Sequence, residues 1–153
     1  MPNGGGQPEP GSNPYITMGC DNFVCHDMGT FPSTLPSDLV IAVSSPFCVS
    51  VDFHLAGAVW PALLALAAAV PGGDFRVTYR YESQGAGPEG TLGTVNVAAV
   101  AGKLQYAEPE TKLTVPAGVL PVGVYKLVAV VNSTIPALQW VTGFYEGPMI
   151  QIY

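Results

Sequence analysis

The most suggestive cluster of side chains for binding a metal or attacking a substrate is Cys20, Asp21, Cys25, His26, Asp27, Cys48 and His54, all ahead of residue 55. Zinc would need three or four of them to converge within bonding distance. Cys48 and His54 belong to an alternating stretch, and in extended chain six residues span about 20 Å, too far to share an ion. Cys20, Cys25 and His26 could meet only in a loop. No Cys-x-x-Cys pair is present and the spacing fits no common zinc pattern. Metal binding by Cys20, Cys25 and His26 therefore ranks third among the functions considered, and no metal or other cofactor is expected.

Nucleophilic catalysis fares no better. Cys25 and His26 are adjacent, so in extended chain they point to opposite sides and form no dyad. The sequence holds neither a Gly-x-Ser-x-Gly elbow nor a phosphate-cradling loop. Glu108 and Glu110 flank Pro109 in a loop, where nothing raises a carboxyl pKa toward that of a catalytic acid. No catalytic residue is expected, and the chain reads as non-enzymatic.

Positioning these side chains falls to a chain with an unusual composition. Charged residues make up 10% of its 153 residues, against roughly 25% in ordinary soluble domains. So few charges leave apolar surface to be covered by copies of the chain or by a partner protein. Five basic residues and a net charge of -6 exclude a phosphate-neutralising patch, hence nucleic acid as a partner. The 18 glycines and 15 prolines imply many turns, and the length suits one domain.

Residues 1–14 are rich in Gly, Pro and Asn and read as an arm, flexible or ordered by a partner, ahead of a single domain over 15–153. The opening residues carry no basic and apolar signal segment, and an odd cysteine count suits a reducing compartment, so the expectation is cytoplasmic. Asn132-Ser133-Thr134 reads as a chance glycosylation sequon.

The regular elements are mostly strands. Tyr15–Met18 reads as a first short strand, followed by irregular chain to Ser37. Phe47, Val49, Val51, Phe53 and Leu55 alternate with Cys48, Ser50, Asp52 and His54, as do Phe75, Val77, Tyr79 and Tyr81 with Arg76, Thr78, Arg80 and Glu82. This period of two marks half-buried strands. Leu55–Val70 is apolar throughout. From Pro61 it has high helix propensity, and a helix of about ten residues is roughly 15 Å long, too short to span a membrane. Trp60, Leu63, Leu64 and Leu66 are its candidate assembly contacts. Leu92–Val100, Lys103–Ala107, Lys112–Val115 and Met149–Tyr153 complete the strands, with Ala101-Gly102 as a hairpin turn.

The strongest strand signal lies in Val119–Val131, where Pro121 and Gly123 precede Tyr125 and an apolar run. With the strand that follows, this resembles the F and G strands of immunoglobulin-like β-sandwiches. That resemblance implies that Tyr125 turns a corner and donates its hydroxyl to upstream backbone. The expected fold is an all-β, immunoglobulin-like antiparallel sandwich with one short apolar helix or insertion. The leading function is a structural or assembly subunit, a homo-oligomer or part of a larger complex. The alternative is a protein- or glycan-binding module using end-loop aromatics Trp140, Phe144 and Tyr145.

Overall fold

Alternation in residues 47–55 is realised as strand β3 (Phe47–Ala56), whose Phe47, Val49, Val51, Phe53 and Leu55 are all buried. The computed structural model describes residues 16–28, 39–69, 73–135, 138–139 and 141–153. Its other elements are β1 (Thr17–Asp27), β2 (Val40–Ile41), α1 (Trp60–Ala69), β4 (Asp74–Ser83), β5 (Gly90–Ala98), β6 (Gln105–Tyr106), β7 (Leu113–Val115), β8 (Gly123–Ser133) and β9 (Thr142–Ile152). The expected arm over 1–14 and residues 29–37 of the expected irregular chain lie outside the described residues.

Two sheets face each other across the core. One has the order β2-β9-β8-β4-β5; in the other, β3 pairs with β1 on one side and with both β6 and β7 on the other. All pairings are antiparallel except β2 with β9. The protein is an all-β sandwich with one short apolar helix. No described helix is long and apolar enough to cross a membrane. β8 is the middle strand of the five-stranded sheet, flanked by β4 and β9.

Three sequence expectations need correction. β1 runs to Asp27 instead of ending at Met18. Asp21 is inserted between Cys20, opposite Phe53, and Asn22, opposite Asp52, and this bulge interrupts the alternation. Similarly, β9 begins at Thr142: Gly147 and Pro148 share the place opposite Leu127, and a bulge is where a strand tolerates proline. Ala101-Gly102 does not close a hairpin. Gly102, at φ +78°, turns the chain out of β5 and across to β6 in the other sheet.

Tyr125 occupies the expected corner: it is buried and donates its hydroxyl to the Pro121 carbonyl at 2.9 Å. Gly123, by contrast, is not at positive φ. A Cβ there would come 3.3 Å from the Tyr125 hydroxyl, so the glycine makes room for the ring. The opposite end of the core is filled by aromatics. Phe53 stacks on Tyr106 at 5.1 Å, and Phe75 packs against Phe53, Trp60 and Tyr106 at 5.3–5.9 Å.

Between β6 and β7 the ladder on β3 is interrupted. β7 pairs with Phe47, Cys48 and Val49, and β6 with Phe53 and His54, so the stretch 50–52 has no strand partner on that side. Tyr79 reaches across the core to fill the gap: its hydroxyl accepts from the Val51 N–H at 3.0 Å and donates to the Thr111 carbonyl at 2.5 Å. Ser50 donates to the Glu108 carboxylate at 2.8 Å, and the Asp52 carboxylate accepts the Glu108 backbone N–H. The Val51 N–H is thereby satisfied without a continuous strand, whereas the buried Thr111 hydroxyl has no hydrogen-bond partner among the described residues.

Candidate assembly surface

α1 forms where expected and for the expected reasons. Its Ala- and Leu-rich sequence has high helix propensity, and Pro61 sits in the first turn, where an N–H has no intrahelical acceptor. Trp60, Leu64 and Ala67 form the buried stripe. The Trp60 indole N–H donates to the Thr17 carbonyl at 2.9 Å, pinning the helix over the start of β1.

The outward side is the anomaly. A surface helix ordinarily carries charged and polar residues on its solvent face. Here the exposed positions are Pro61, Ala62, Ala65, Leu66, Ala68 and Ala69, without one polar side chain, and Leu66 is 63% exposed. Of the predicted contacts, then, Leu66 is available and Leu63 partly so. Trp60 and Leu64 are both fully buried in the chain's own core and cannot serve a partner without leaving it.

Of the candidate end-loop aromatics, Phe144 and Tyr145 lie within β9 and not in a loop. Trp140 lies outside the described residues. Phe144 and Tyr145 are consecutive residues of β9 and so face opposite sides: Phe144 is exposed, whereas Tyr145 is buried. The Tyr145 hydroxyl has no hydrogen-bond partner among the described residues. Burial, with the Cys20 and Asp21 charges adding, pushes its pKa well above the usual phenol range.

The three residues of the third-ranked metal reading do not converge. Cys20 and Cys25 lie on β1 five residues apart, roughly 16 Å along a strand, and His26 faces the side opposite to its neighbour Cys25. Among the described residues no group of three or more His, Cys, Asp or Glu could hold an ion. Burial pushes the Cys20 thiol up to about 12, and nearby Asp21 and Asp52 push the same way. A thiol protonated at neutral pH is a poor ligand and a poor nucleophile.

One pairing was not visible in the sequence. The bulge residue Asp21 reaches His54 Nδ1 at 2.9 Å, both side chains being partly exposed. The ring lies against Gly19, where even a Cβ would collide with it. A carboxylate-oriented imidazole is half of a general-base system, but no described hydroxyl or thiol hydrogen-bonds His54. On the other sheet, the outward Arg76 and Arg80 stand opposite Asn132, Asn96, Val128 and Thr91 rather than acids. The sequon asparagine, Asn132, lies within β8, its amide donating to Thr142 at 2.8 Å. Compared with models of known protein families and with curated proteins, the chain matches none.

Proposed function

We propose that this chain is a non-enzymatic assembly subunit, an immunoglobulin-like sandwich that associates with copies of itself through apolar surface centred on the outer face of α1. The observation that carries the reading is that face: six exposed positions with no polar side chain, in a protein whose charged fraction is 10%. Burying exposed apolar area contributes about 25 cal/mol per Å², and Leu66 is the largest exposed side chain on the helix. The Tyr125 corner and the placement of β8 between β4 and β9 support the superfamily assignment.

Sedimentation velocity at micromolar concentration tests the reading. The parent chain is expected to form a discrete oligomer or filament, and Leu66→Glu to reduce its size without altering the circular dichroism spectrum. A strictly monomeric parent overturns self-association.

A further inference from the structure

The edges of the two sheets are not alike. An edge strand presents unpaired N–H and C=O groups to any passing strand, and proteins blunt such edges with shortness, charge, proline or bulges. β2 and β6 have two residues each and β7 three. β1 is long, but it carries Asp21, Asp27 and a bulge. β5 is nine residues long, Gly-Thr-Leu-Gly-Thr-Val-Asn-Val-Ala, with no charge and no proline. Among the described residues its only strand partner is β4. Its one irregularity is Leu92, between Gly93 opposite Tyr79 and Thr91 opposite Arg80, which leaves a regular stretch over 93–98.

We infer that β5 is a docking edge for β5 of a second copy, the two strands pairing antiparallel about a two-fold axis to join two five-stranded sheets into one of ten. The inference rests on the reading that the chain assembles, but not on α1. Two features favour a second copy as the occupant. The pairing is self-complementary, and an isologous contact needs one patch that matches itself. Of the described edges, β5 alone has the length and neutrality to match β5. A second copy's residues 1–14 are a poorer fit, because their prolines cannot donate to a ladder.

Charge placement removes the main obstacle. The outward side chains of β5 are Thr91, Thr94, Asn96 and Ala98, all exposed and neutral. Arg76 and Arg80 stand one strand further in, on β4. In the joined sheet the arginines of the two copies would be three strand spacings apart, about 14 Å, beyond the Debye length of about 8 Å at physiological ionic strength. The half-buried Val95, on the inner side of β5, would gain cover from the partner.

The decisive variant is Thr94→Lys, a surface change that sets like charges against each other across the new ladder. It is paired with Thr94→Glu and compared with Leu66→Glu, using sedimentation velocity and amide hydrogen exchange across a concentration series. Thr94→Lys and Thr94→Glu should each lose the β5 contact alone, and mixing the two should restore it. Exchange of the β5 amides should slow as the parent concentration rises. If β5 exchange is independent of concentration and Thr94→Lys associates like the parent, the inference is overturned. The two contacts fail separately: loss of association in Leu66→Glu with none in Thr94→Lys leaves α1 alone as the interface. Dimers that persist in Leu66→Glu and vanish in Thr94→Lys support β5 and count against α1. Pairing with an extended segment of an unrelated protein, in place of a second copy, would appear as a monomeric parent and also overturns the proposal.

Discussion

The two edges on the open side of the sandwich handle the same problem differently. Where β3 loses its neighbour between β6 and β7, the Tyr79 hydroxyl takes the Val51 N–H and links it to the Thr111 carbonyl, and Glu108 takes the Ser50 hydroxyl, so the gap is bridged from inside the fold. Across the core, β5 is continuous and neutral, yet its outer side has no described partner. The contrast teaches that strand length does not measure how finished an edge is. The broken edge is bridged by a side chain from the facing sheet; the regular one has β4 as its only strand partner among the described residues.

Breaking the bridged edge should have the largest effect. Tyr79→Phe keeps the ring and its edge-on contact with Phe23 at 5.8 Å but removes both hydroxyl bonds. It leaves a buried N–H and a buried carbonyl short of a partner, and the expected loss is about 2–3 kcal/mol, read from the denaturant midpoint. Tyr125→Phe is the measure against which to set it. That hydroxyl makes one bond, to Pro121, so the expected loss is about 1 kcal/mol. Equal losses from the two substitutions would mean that Tyr79 does not close the ladder gap.

The smallest effect should be a gain. Burial raises the Asp52 pKa above the ordinary 3.8, with Glu108 and Asp21 adding repulsion. A carboxyl that holds its proton more tightly when folded makes stability fall as pH rises from 3.8 through the raised value, and the whole penalty is present above that. Asp52→Asn should therefore melt slightly higher than the parent at neutral pH, and the difference should close below the ordinary carboxylate range. A thermal melt series against pH checks both the sign and the window.

Much of the fold was legible in the sequence because it follows local periodicity. Alternation identified β3 and the inward Phe75, Val77 and Tyr79 of β4, while Pro61 and the Ala-Leu run identified α1. The part of β1 beyond Met18 and the first half of β9 were hidden for one shared reason: an inserted residue at Asp21, or at Gly147-Pro148, shifts the period of two that marks a strand. The corner tyrosine was recognisable from its turn. What Tyr79 does was not, since its alternation places the ring inside but says nothing about a ladder gap on the other sheet. Cys20, Cys25 and His26, which the sequence supports only as a third-ranked metal site that would need a loop, lie along a strand. His54 found Asp21 through the bulge that periodicity could not reveal.

The central position of β8 also has a consequence for the order in which the protein can be made. β4 and β5 are adjacent in the chain and close on each other early, but β4 ends at Ser83 and its inner neighbour β8 starts only at Gly123. During synthesis the β4–β5 pair must wait for β8 with both edges open, and the sheet is completed only when β9 emerges. Pairings so distant in sequence are slow to form, and strand edges left exposed meanwhile are prone to aggregate. On the ribosome, the interval between β5 and β8 is thus when this chain is most vulnerable to pairing with the wrong neighbour.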